Sequence, residues 1–192
     1  MLSTVLLRHL ASQVEALYAT VDAELRPLDT QVLNFKPGPN SWSVLECLEH
    51  LNRYSRFYNQ ELAQALQTQA PGQHPHEVGF SWLGRKSYDT VKPENGKKQQ
   101  TIKHMNPAGS QLQASVVEEF LQHQTRLLQL LASAANTDLN RKAVRIEFFR
   151  LLKLRVGEAL QFVVAHEQRH VQQALRAAQA AQGQRKEAVL IV

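Results

Sequence analysis

From Ser3 to Leu25 the apolar residues Leu7, Leu10, Val14, Leu17 and Val21 recur in steps of three and four. That is the spacing of a helix that buries one face in a bundle. Pro27 ends it, and Lys36-Pro37-Gly38-Pro39-Asn40 cannot continue a helix, so 28–40 reads as a connection. Ser43-Val44-Leu45-Glu46 has the spacing of a capping box and opens a second helix to about Gln67, with Val44, Leu48, Leu51, Tyr58 and Leu62 as its apolar stripe. Between Ala70 and Ser110 the periodicity is lost. Prolines and glycines recur there, and Pro93 to Lys98 is turn-like, but Phe80, Trp82 and Tyr88 are too many aromatics for a disordered linker. The expectation is a long, partly ordered loop packed over one end of the bundle. A third helix follows from near Ser110 to Ala135, carrying Val116, Phe120, Leu127 and Leu130 inward. Asn136 to Asn140 breaks it, and Arg141 to Phe149 suggests a short extended piece. The run Val156 to Ala178 predicts a fourth helix to about Ala181, with Gly183 as its stop and an apolar tail, Ala188 to Val192, behind it. The predicted fold is all-α: an up-down-type four-helix bundle with one long loop between helices two and three.

Composition narrows this picture only a little. At 192 residues and 43% hydrophobic content the chain fits one domain with a sizeable core. No apolar run reaches the roughly 18 residues that span a bilayer, and Met1-Leu2-Ser3-Thr4 leads straight into an amphipathic pattern, so a cytoplasmic protein is the expectation, with no membrane partner. Cys47 is the single cysteine, which excludes an intramolecular disulfide and a Cys-rich zinc module. The net charge of +5 is scattered along the chain, whereas nucleic-acid binding needs it gathered on one face, so no nucleic acid is expected.

Candidate chemistry centres on His166-Glu167-Gln168-Arg169-His170. With Val163 at the middle of the apolar stripe, His166 falls about 60° and His170 about 20° from it, so both imidazoles point towards the core. Two histidines one helical turn apart can hold one divalent cation. The stretch also matches H-E-x-x-H, in which Glu167 would be the general base of a zinc protease. A zincin needs a third ligand well downstream, however, and only Glu187 follows, with no convincing strand to bind a peptide. His50 supplies another third ligand if helices two and four are neighbours. Three histidines leave one position open, as catalytic metal sites do. Glu167 then reads either as a base or as an acceptor behind a ligand, or simply as a partner for Arg169 or Arg53. Cys47 and Trp42 read as packing residues, His123 as an inward histidine with no ligand role, and His74, His76 and His104 as loop histidines. Lys97 and Lys98 might be read as anion-attracting, but a solvated turn explains them.

Trp42-Ser43-Val44-Leu45-Glu46-Cys47-Leu48-Glu49-His50-Leu51 resembles the W-S-x-x-E-x-x-x-H-L segment of the DinB-like superfamily, and His166 to Gln173 resembles its H-x-x-R-H-x-x-Q motif. The resemblance implies a DinB-like four-helix domain over 1–182, the loop 70–110 included, with 183–192 as a tail. It implies a mononuclear metal, zinc or nickel, on His50, His166 and His170. Family members of known activity include thiol S-transferases and isomerases that use low-molecular-weight thiols such as bacillithiol or mycothiol, and homodimers are a family expectation. The function expected from the resemblance is a metal-dependent thiol transferase or hydrolase acting on a small electrophilic substrate. The alternative is a non-catalytic metal-binding stress-response or interaction bundle, and the zinc metalloprotease is a remote one.

Overall fold

The computed structural model describes residues 1–68, 75–97 and 100–190. His74 and Lys98 lie outside them, as do the last two residues of the tail. Four long helices form the body: α1 (Ser3–Thr20), α3 (Val44–Gln67), α5 (Ser115–Ser133) and α6 (Val156–Leu190). A short α2 (Thr30–Asn34), an α4 (Trp82–Val91) and a hairpin of β1 (Lys142–Ile146) and β2 (Phe149–Arg155) complete the chain. Around the bundle α1 packs on α5, α5 on α3, α3 on α6 and α6 back on α1, which leaves α1 and α3 on one diagonal.

Two apolar layers set the directions. In one, Leu6 and Leu10 from the start of α1 meet Leu62 from the end of α3, Leu130 from the end of α5 and Leu160 from the start of α6. In the other, Leu17 meets Leu48, Phe120 and Ala174, so the order along α1 and α6 is the reverse of that along α3 and α5. The helices therefore run up, down, down, up. The alternation of an up-down bundle holds from α1 to α3 and from α5 to α6. Between α3 and α5, which are parallel neighbours, the chain must return the whole length of the bundle.

That return is what the long stretch after α3 does. It runs along the sides of α6 and α3 instead of covering one end. Its first part is α4, unforeseen in the periodicity, whose N-cap Ser81 accepts a hydrogen bond from Gly84 N–H (3.1 Å). A Cβ on Gly84 would lie 2.2 Å from Glu158 Cδ, so only glycine lets α4 sit this close to the start of α6. Farther on, Arg169 donates to the carbonyls of Asn95 and Lys97 (both 2.7 Å), and Gly109 N–H reaches Glu46 at the start of α3 (2.7 Å). The left-handed φ of Gly109 (+82°) makes that turn available.

The capping box is complete: Ser43 Oγ accepts from Glu46 N–H and Glu46 accepts from Ser43 N–H. At the other end of the chain Gly183 does not stop α6, which continues to Leu190. An interior glycine costs only about 1 kcal/mol, too little to break a run rich in Ala, Gln, Arg and Lys. Among the described residues no helix is long and apolar enough to cross a membrane.

A three-histidine centre between α3 and α6

α3 and α6 are antiparallel neighbours, and each presents an aromatic stripe to the other: His50, Tyr54 and Tyr58 from α3, Phe162, His166 and His170 from α6. Both stripes step by four residues, which places their members one above another on a single face. The result is that His50, His166 and His170 each bring a ring nitrogen into one cluster, all within 4.8 Å of one another. His50 and His166 are buried and His170 half-buried.

The hydrogen bonds on the far side of two rings fix which nitrogen faces inward. His50 Nδ1–H donates to the Met105 carbonyl at 2.8 Å, and a carbonyl only accepts, so Nε2 is bare. His170 Nδ1–H donates to Gln173 Oε1 at 3.0 Å in the same way. Gln173 is the glutamine of the second motif, and orienting His170 is its visible task. His50 Nε2 stands 3.2 Å from His166 Nε2. Two nitrogens each about 2.0–2.1 Å from a tetrahedral zinc lie about 3.3 Å apart, so this pair is already spaced as two ligands would be.

Electrostatics keep the cluster uncharged. Burial pushes the His50 imidazole down to about 4, with the Met105 hydrogen bond opposing and the charge of Arg53 assisting. Burial and the neighbouring His50 take His170 down to about 3 against the pull of Gln173. His166 is held well below the ordinary histidine value by burial and by both other rings. At pH 7 all three are neutral, the state in which imidazole binds a metal without first losing a proton. The donor set, three neutral nitrogens and no thiolate or carboxylate, suits zinc, nickel or copper over magnesium or calcium.

The other candidates are placed elsewhere. Glu167 is buried but points at Ser55 Oγ, which donates to it at 3.4 Å, and is not among the converging groups. Burial pushes its carboxyl up to about 8, while Gln124 and Ser55 pull it down. Neither arginine weighed as its partner reaches it: Arg169 holds the return segment, and Arg53 bonds to Glu49 and to the carbonyls of His104 and Asn106. Cys47 is fully buried in the apolar layer around Leu48, its thiol pushed far up by burial. His123 pairs with Asn59 and Glu119 on the α3–α5 side. His76 bonds to the backbone of Leu139 and His104 to Glu147. Trp42 is a packing residue with a purpose: its ring lies 4.8 Å from that of His50 and 5.7 Å from that of His170. Three contributors escaped the sequence. Tyr54 lies edge-on to His166 (4.6 Å between centroids), a contact its place one turn after His50 could have suggested. Met105 acts through its backbone and Glu147 through a long-range contact, and neither leaves a local signal.

The geometry fits a metal-binding protein. Comparison with curated proteins finds no match, and comparison with solved structures finds none. Comparison with protein families matches residues 13–174 to the DinB superfamily, a span that contains both histidine motifs and most of all four bundle helices. The chain belongs to the DinB superfamily.

Proposed function

We propose that this DinB-superfamily chain holds one divalent cation, zinc or nickel, on His50, His166 and His170, and that it transfers a low-molecular-weight thiol to a small electrophile. The observation that carries this is the convergence of three neutral imidazoles, two of them with the inward nitrogen bared by a hydrogen bond on the other side of the ring. A cation bound there acidifies a coordinated thiol or water and so supplies a nucleophile near neutral pH. The chain's own part is to hold the rings. Met105 and Gln173 orient His50 and His170, while Trp42, Tyr54 and Phe162 wall the cluster with rings. Glu167 ties α6 to α3 through Ser55, and we assign it that structural role instead of proton abstraction. A glutamate serving as the base of a zinc protease would face the ligands' open side.

Among the described residues no fourth Cys, His, Asp or Glu joins the three, which supports catalysis, because structural zinc sites fill four positions with side chains. The depth of the centre, with His50 2% and His166 6% exposed, favours a second reading: a bundle that binds metal without chemistry. Metal analysis of protein purified without a histidine tag is the first test. The expected result is one equivalent of zinc or nickel, lost in His50→Ala and His166→Ala with helical circular dichroism retained. Full occupancy in both variants would sink the three-histidine assignment. A screen of thiols against electrophiles then separates the readings: turnover that follows metal content supports the transferase, and its absence at full occupancy supports the binding bundle.

A further inference from the structure

The carbonyl that orients His50 belongs neither to α3 nor to α6. It comes from Met105, in a single 3-10 turn (Lys103–Met105) on the segment returning from α4 to α5. A lone turn has too few internal hydrogen bonds to hold its place, so what fixes it against α3 also fixes the imidazole. Two anchors are visible, one on either side. Arg53 Nη1, on α3 one turn beyond His50, donates to the carbonyls of both His104 and Asn106 (3.1 Å each), straddling Met105. Its Nε is held by Glu49 at 2.9 Å, which aims the guanidinium. The second anchor is the His104 side chain, whose Nε2 donates to Glu147 Oε1 at 2.6 Å. Glu147 sits in the turn of the β1–β2 hairpin and is buried. Its own N–H donates to Tyr58 Oη at 3.4 Å, which joins the hairpin to the aromatic stripe of α3.

We propose that Arg53 and the His104–Glu147 pair are positioning residues of the metal centre: they clamp the 104–106 strap so that the Met105 carbonyl holds the His50 imidazole with Nε2 bare and inward. The proposal rests on the three-histidine reading above. It says that one ligand of a helical site is oriented from outside the bundle, by two segments that neither histidine motif contains. Hydrogen-bond partners behind a histidine ligand typically govern 10–100-fold in metal affinity, and the clamp acts one step behind such a partner.

The test uses the full chain and zinc alone. Zinc affinity is measured by competition with a chelator for the native protein, Arg53→Ala, Glu147→Ala and Glu147→Gln, and nitrogen NMR of the histidine rings in metal-free protein reports the His50 tautomer. Arg53→Ala and Glu147→Ala are expected to weaken zinc about 10-fold or more and to deplete the His50 Nδ1–H form. Glu147→Gln, whose amide oxygen still accepts from His104, is expected to stay close to native in both readouts. Should Arg53→Ala fail to fold, Arg53→Lys replaces it; it keeps the pair with Glu49 but loses the planar fork, and the same weakening is expected. Native affinity together with a native His50 tautomer in the Arg53 and Glu147→Ala variants would overturn the clamp. His50→Ala keeps the two ideas apart: if it retains stoichiometric zinc, the three-histidine reading falls, whereas if it loses zinc while the clamp variants bind normally, the clamp alone falls.

Discussion

α3 has two polar seams, one against α6 and one against α5, and they differ in what their polar atoms share. Towards α6, three imidazoles from two helices converge on one point and are otherwise surrounded by rings. Towards α5 the polar groups are as deeply placed but satisfied pair by pair: Asn52 donates to the Val116 carbonyl (3.0 Å), Asn59 meets His123 (3.4 Å), and Arg56 forks onto Glu119 at 2.7 Å through two nitrogens. His123 and His166 are thus both inward histidines on a bundle helix, yet only His166 points at other free nitrogens. Burial by itself does not mark a site; convergence of unspent donors or acceptors does.

The largest effect should separate those two histidines. His166→Ala is expected to weaken zinc by about 100-fold or more, beyond what losing an outer partner does, whereas His123→Ala should leave affinity and stoichiometry unchanged in the same chelator competition. Equal losses in both would erase the distinction between the seams. Next comes Asn52→Leu, which leaves the Val116 carbonyl without its donor in a fully buried place. It should cost about 1–3 kcal/mol in urea unfolding without touching the metal. Arg56→Ala should cost about 1 kcal/mol, since the pair is half exposed but bidentate.

The smallest effect is in pH. The Arg56 hydrogen bond holds the Glu119 carboxyl below its ordinary value, with burial opposing. The folded pKa therefore lies below the unfolded one. The stabilisation is fully present above the ordinary carboxylate range and is lost as pH falls through the depressed folded value. In Arg56→Ala the acid limb of the stability profile should be shallower than in the native protein. An unchanged slope would mean that the pair does not couple to folding.

Much of this was legible in order along the chain. The capping box at Ser43 and Glu46, the stripe of α3 and the inward placing of His166 and His170 follow from spacings of three and four residues, because a helix converts such spacings directly into faces. The same logic exposed His50 as a ligand once α3 and α6 were paired. It failed where the deciding contact was between distant segments. α4 stayed hidden because its stripe is weak and it is secured largely by the close approach of Gly84 to Glu158. Gly183 misled because helix propensity is a sum over neighbours, and those neighbours are strong helix formers. Glu167 looked central by motif, yet its carboxyl faces Ser55, a choice made by how α6 is rotated against α3.

The sequence by itself determined the four helices, their apolar faces and the i, i+4 pair on α6, all of which depend on separations shorter than one or two turns. Tertiary structure alone decided that α3 and α5 run parallel, which forces the chain to return along the bundle, and that the return lays the Met105 carbonyl on His50. A backbone carbonyl carries no residue code, and the 55 positions between the two partners leave no periodicity to detect. The site's first half is therefore written in helix geometry, and its second half exists only once the bundle has closed.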